Sequence, residues 1–161
     1  MEIDESHILR SSGTAIWVFG LYDRGTKEVR LCVVGNDRSR NNLLPIIQRH
    51  VFTNEHMDSD DNDYRTRIYS DGWGAYTTNE IEEMGFLHRR VVHENRRGSF
   101  HTNSIESYWS RFKHCTHWLN GVHSDEDIES IKDWVAYGYW FTKVSLRSKN
   151  DRIISLFDLL G

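Results

Sequence analysis

Proline is almost missing from this chain. Pro45 is the only one in 161 residues and falls near a candidate helix start, so Pro-rich linkers drop out, as do internal repeats and low-complexity tracts. Cysteine is scarce too: Cys32 sits in an apolar run and Cys115 on a candidate helix. Two cysteines without a paired spacing make no disulfide framework, so both read as reduced thiols. No apolar run approaches the ~20 residues of a membrane span. The opening Met-Glu-Ile-Asp-Glu has neither the cationic start of a signal peptide nor the arginines of a transit peptide. The expectation is an intracellular protein with no membrane partner, nuclear in a eukaryote and cytoplasmic in a bacterium. A positive excess is also lacking, since 20 Lys and Arg face 24 Asp and Glu for a net charge of −4. Strong nucleic-acid binding through overall charge is thereby excluded, and any such binding has to come from local patches. What is present is 38% hydrophobic and 12% aromatic residues, which argues against disorder and, at this length, for a single domain over residues 1–161.

The stretch from His101 to Lys113 reads as a helix with two faces. Ile105, Tyr108, Trp109 and Phe112 fall at i, i+3, i+4 and i+7, the spacing that gathers apolar side chains into one core-facing stripe. Beside them run Asn103, Glu106, Ser110 and Lys113, so an amide, a carboxylate and an ammonium share a neighbouring polar edge. Such an edge lines a site or is simply solvated; the helix alone does not decide.

Before that helix the chain reads mostly as strands. Ile3 between acids suggests a strand over Met1 to Glu5, with Asp4 on it. Thr14 to Tyr22 is a β-branched and aromatic run covered on both faces, and Asp23-Arg24-Gly25-Thr26 turns it into an antiparallel partner over Glu28 to Val34. Leu43, Leu44, Ile47 and Val51 predict a helix over Asn41 to Val51, capped by Asn41 or Asn42. After an acidic loop at Met57 to Asp63, a strand over Arg67 to Ser70 delivers Asp71, and a helix is expected from Trp73 to Met84 with Gly85 as its C′ residue. Phe86 to Val92 reads as a further strand and His93 to Ser99 as a basic loop. Beyond the central helix, Ser124 and Asp127 form a capping-box pattern ahead of Ile128, Ile131 and Val135, and Ile153 to Leu160 closes as a short helix. Strand, strand, strand, helix, strand, helix, strand, helix, helix is the order of the ribonuclease H-like fold, an α/β (α+β) mixed sheet flanked by helices with extra C-terminal helices.

In that topology the first and fourth strands are neighbours and the late helix packs across them, so Asp4, Asp71 and Glu106 converge. Crowded carboxylates repel, and hard oxygen donors suit Mg²⁺ or Mn²⁺ far better than Zn²⁺. Two such ions activate a water or hydroxyl and stabilise the departing oxygen of a phosphodiester. Each acid also has a plainer alternative: an exposed strand acid, a turn residue before Gly72, a solvated helix residue.

Four blocks carry a family resemblance: Glu2-Ile3-Asp4-Glu5-Ser6, Trp17-Val18-Phe19-Gly20, Ser70-Asp71-Gly72-Trp73-Gly74-Ala75-Tyr76, and His101-Thr102-Asn103-Ser104-Ile105-Glu106-Ser107 with Lys113. In this order and spacing, over about residues 1–120, they resemble DDE transposases of the Merlin group and their bacterial insertion-sequence relatives. The resemblance implies Asp4, Asp71 and Glu106 as the metal-binding triad, with Asn103 and Lys113 accessory. Asn is the third member in some relatives, which keeps Asn103 as an alternative, and His93 matches a family His. The family's N-terminal zinc-ribbon or helix-turn-helix module is expected to be absent. Its basic segment after the first acid is reduced to Ser6 to Gly13, and its closing pattern is not visible around Trp134 to Phe141.

Concentrated positive charge lies at Arg89, Arg90, Arg96, Arg97, Arg111, Lys113 and His114, where contacts to phosphates would position DNA without reading its sequence. Their alternative is ordinary surface charge. His114, Cys115, His117 and His123 have no Cys-x-x-Cys partner and make a poor zinc set. Trp73, Trp109, Trp118, Trp134 and Trp140 are expected in the core. The leading expectation is a metal-dependent transposase catalytic domain using two Mg²⁺ or Mn²⁺ ions, acting on DNA ends and target DNA, with a homodimer among its expected assemblies. The rival is a repurposed, non-catalytic domain that binds nucleic acid or protein.

Overall fold

A computed structural model describes residues 1–11, 14–52, 65–91, 101–116 and 128–145. Within them the elements are β1 (Glu2–Ser11), β2 (Thr14–Tyr22), β3 (Val29–Gly35), α1 (Arg40–His50), β4 (Arg67–Ser70), α2 (Thr78–Glu83), β5 (Leu87–Arg90), α3 (Asn103–Thr116) and α4 (Ile128–Ser145). The sheet order is β3-β2-β1-β4-β5. β1, β2 and β3 form an antiparallel meander, while β4 pairs parallel to β1 and β5 parallel to β4.

Strand alternation feeds two cores. Ile3, Phe19, Leu21 and Ile68 pack with Leu43 and Ile47 of α1, Ile81 of α2 and Phe86. On the other face Ile16, Val18, Tyr22 and Val29 meet Ile105, Tyr108, Trp109 and Phe112 of α3 and Val135 of α4. The predicted apolar stripe of the central helix is thus the one it buries. Gly20 sets how close α3 comes: a Cβ there would lie 2.6 Å from Trp109 Cζ2 and 3.1 Å from Ile105 Cδ1, and Gly20 is the ladder partner of Asp4.

Four boundaries differ from expectation. β1 continues past Glu5 to Ser11 because its second half pairs with β2, with an irregularity between His7 and Leu9. The N-cap of α1 is Ser39; Asn42 instead donates its amide to the Asp37 carbonyl at 2.8 Å. The helix expected from Trp73 begins only at Thr78, since Asp71 Oδ1 accepts the Trp73 N–H at 2.9 Å and holds a turn there. β5 is shorter than expected, Leu87–Arg90. Gly85 has φ 87° and ends α2 as predicted. The Met57 to Asp63 loop, the His93 to Ser99 loop, the Ser124 and Asp127 cap and the Ile153 to Leu160 helix lie outside the described residues. No helix among the described residues is long and apolar enough to cross a membrane.

Candidate active site

β1 and β4 run parallel with Glu2 opposite Tyr69, and two residues further along the same register sets Asp4 beside Asp71. Glu106 lies on the first turn of α3, which packs on β1 and β2. The charges respond to this arrangement. Asp4 is half-buried, and its carboxyl is pushed up to about 7, first by burial, then by the negative charge of Asp71, with Glu106 adding to it. A hydrogen bond from the Glu5 backbone and the charge of Lys113 pull the other way. Two strands and one helix therefore bring Asp4, Asp71, Glu106 and Lys113 within electrostatic reach of one another.

They do not form a closed metal cage. Among the described residues no three His, Cys, Asp or Glu side chains are gathered to hold an ion. Two of the acids have local partners. Asp71 Oδ1 is taken by the Trp73 N–H at 2.9 Å, and Glu106 Oε1 accepts from Thr102 Oγ1 at 2.8 Å. The donor set itself, three carboxylates, matches the oxygen preference of Mg²⁺ or Mn²⁺.

A fourth acid escaped the sequence reading. Glu2 is fully buried. Its Oε2 accepts the Ile105 N–H at the start of α3 at 2.9 Å, and its Oε1 accepts Arg24 Nε at 2.6 Å, with His101 Nδ1 3.8 Å away. Arg24 also donates to the His101 carbonyl and lies 4.0 Å over the Tyr69 ring. Glu2 thus ties the strand that carries Asp4 to the helix that carries Glu106. The available signal was its place two residues before Asp4, on the same strand face.

Next to Asp71 a partly buried hydrogen-bonded chain also went unseen. Ser70 Oγ bonds the Asp71 carbonyl at 3.0 Å and His88 Nε2 at 2.8 Å, and His88 Nδ1 meets Thr78 Oγ1 at 3.1 Å. With the Ser70 proton given to Asp71, His88 donates from Nε2 and accepts at Nδ1. Burial holds His88 below the ordinary imidazole range, Glu82 opposing and Arg90 and Arg89 adding. On the opposite sheet face Glu5 is pushed up to about 8, by burial first and then by Asp4 and Asp71, while Arg38 opposes. Glu5 Oε2 lies 3.7 Å from Arg38 Nη1.

Of the remaining expected residues, those charged or polar ones that are described are surface groups. Asn103 opens α3 and is exposed, as are Arg111 and Lys113 further along it and Arg89 and Arg90 on β5. Arg90 donates to the Gly72 carbonyl. Arg96, Arg97, His93, His117, His123 and Trp118 lie outside the described residues, as do the side chains of Cys115, Trp134, Ile128 and Ile131. Trp109 is buried and Trp140 half-buried, but Trp73 is 40% exposed and is not a core residue.

A mixed sheet of this order with helices on both faces, and two acids abreast on its parallel strands, defines a ribonuclease H-like core similar to retroviral integrase catalytic cores. The HTLV-2 integrase catalytic core domain in complex with magnesium, in its dimeric form, superposes with a TM-score of 0.55 at 10% identity, covering 86% of this chain and 81% of that one. A chain of the simian T-cell lymphotropic virus intasome in complex with PP2A regulatory subunit B56 gamma gives 0.57 at 11% identity over 86% of this chain. The protein spans only 46% of that intasome chain. The particular family comes from sequence: residues 5–129 match the ISXO2-like transposase domain, and the chain belongs to that DDE transposase family. No curated protein matches it.

Proposed function

We propose that this chain is the catalytic domain of a metal-dependent DNA transposase, which hydrolyses a phosphodiester at an element's end and joins the freed 3′-hydroxyl to target DNA. The observation that carries the reading is the electrostatic influence of Asp71 and Glu106 on the half-buried Asp4 in a chain of a DDE transposase family. Within such families, the four sequence blocks favour the Merlin group and its insertion-sequence relatives. Asp4, Asp71 and Glu106 are the residues to hold two Mg²⁺ or Mn²⁺ ions, which supply an activated nucleophile and offset charge on the departing oxygen. Lys113, Arg89, Arg90, Arg96, Arg97 and Arg111 hold phosphates, and Asn103 serves the same helix edge as Glu106. A homodimer acting in the nucleus of a eukaryote or the cytoplasm of a bacterium belongs to the same reading.

Glu106→Gln is the test. It keeps α3 and the oxygen facing Thr102 but removes a charge. Cleavage of element-end DNA in Mg²⁺ or Mn²⁺ should fall by roughly 10²–10³-fold, the scale of losing one charge-stabilising group, with DNA binding and the melting midpoint nearly unchanged. If the wild-type protein binds DNA but never cleaves it, and the variant behaves identically, the repurposed binding module is the better account. If neither binds DNA at moderate salt, a protein-interaction role replaces both.

A further inference from the structure

Trp73 sits in the loop that carries Asp71, and among the described residues its indole face has one cationic partner. The Arg38 guanidinium lies 4.1 Å from the Trp73 ring centroid and 3.9 Å from that of Trp17, so one cation is sandwiched between two indoles. Glu5 lies 3.7 Å from the same guanidinium. Trp73 is nonetheless 40% exposed, and with one face covered by Arg38 we take the outer face and edge to carry that exposure. Neither sequence neighbour screens it: Gly72 and Gly74 have no side chains, and a Cβ added at Gly74 would meet nothing within 4 Å. The backbone is pinned by the Trp73 N–H on Asp71 Oδ1 at 2.9 Å, and the ring by Nε1 on the Arg38 carbonyl at 3.5 Å. A flat aromatic surface held this way has little freedom left to lose on binding.

We infer that the outer face of Trp73 is a stacking site for an unpaired nucleobase, a purine by preference, next to the phosphodiester served by Asp71; this rests on the DNA-processing reading above. The chemistry chooses the occupant. A cation on the covered face draws π density toward itself, so the open face attracts a second cation poorly. A Lys or Arg from a protein partner is disfavoured, whereas an electron-rich aromatic surface gains. A base inside a duplex has both faces stacked and cannot present one, so the occupant is a base that is unpaired or extruded. Arg90, exposed and bonded to the Gly72 carbonyl through one N–H, keeps further guanidinium donors for the adjoining phosphate.

The test uses the whole chain and two oligonucleotides, a fully paired duplex and the same duplex with one unpaired 2-aminopurine. Wild-type protein should quench the 2-aminopurine fluorescence on binding. Trp73→Ala should abolish the quenching and weaken binding of the unpaired substrate about tenfold, within the range for losing one base–aromatic stack, while duplex affinity stays within about twofold. Trp73→Phe, which keeps a ring, should fall between, and it decides the matter if Trp73→Ala does not fold. Equal losses on both substrates, or no loss on either, overturn the stacking site alone. A wild-type protein that binds neither oligonucleotide overturns the DNA reading and the stacking site with it.

Discussion

Asp4 holds its proton to about 7 against an ordinary value of 3.8, and the direction fixes a pH dependence. A carboxyl with a raised folded pKa favours the folded state fully below its unfolded pKa. That contribution is lost as pH climbs through the folded value. Wild-type stability should therefore decline between about pH 5 and pH 8 in metal-free buffer, with Glu5, at about 8, contributing in the same direction. Asp4→Asn removes the Asp4 share, so urea unfolding at both pH values should show a flatter profile for the variant; parallel profiles would contradict the burial and crowding described. That Asp71 and Glu106 lie within electrostatic reach of Asp4 was legible in the sequence because the three acids sit within recognisable blocks. Glu2 was not, since its partners Arg24 and Ile105 lie 22 and 103 residues away. Trp73 was misread for a related reason: aromatic content predicts burial on average, and only the fold shows that two glycines and an Asx turn leave this one outside.

At the scale of the element, α3 is positioned by two unlike devices. Gly20 allows the close approach of Trp109 and Ile105, and Glu2 supplies a buried acceptor for the first turn. Glu2→Ala leaves the Ile105 N–H without its acceptor and removes the carboxylate from Arg24 Nε. A cost of about 2–4 kcal/mol in urea unfolding is expected, with faster amide exchange at Ile105. A loss below about 0.5 kcal/mol would mean that α3 rests on its apolar stripe alone. That stripe was legible because helical periodicity is local. The ends of α2 and β1 were not: a side-chain bond at Asp71 delays the helix, and pairing with β2 lengthens the strand.

The whole molecule, of net charge −4, brings Asp71 and Glu106 within electrostatic reach of Asp4, and a divalent cation bound only to the folded state must stabilise it by mass action. At about 100 times its Kd, Mn²⁺ should add about 2.7 kcal/mol, a rise of roughly 5–10 °C in melting midpoint for a chain of this size. Asp71→Asn should lose most of that rise. An unchanged wild-type midpoint in millimolar Mn²⁺ would argue against a working metal site. The order of elements already gave the fold class from sequence, because three strands before the first helix distinguish this sheet from a doubly wound one.

The place of β1 in the middle of the sheet bears on how the chain reaches its folded state. Its antiparallel neighbour β2 follows after a short connection, but its parallel neighbour β4 begins at Arg67 and the cap from Glu2 to α3 spans 103 residues. Loop closure makes the β1–β2–β3 meander quick to form and the β4 and α3 contacts slow. Throughout that interval one edge of β1 stands open as a template for a second chain. Glu2 and Asp4 lie along that edge on one face, and inward-pointing charge is among the means by which open strand edges resist illicit pairing. The carboxylates of Glu2 and Asp4 thus place negative charge along that edge while the molecule is still incomplete.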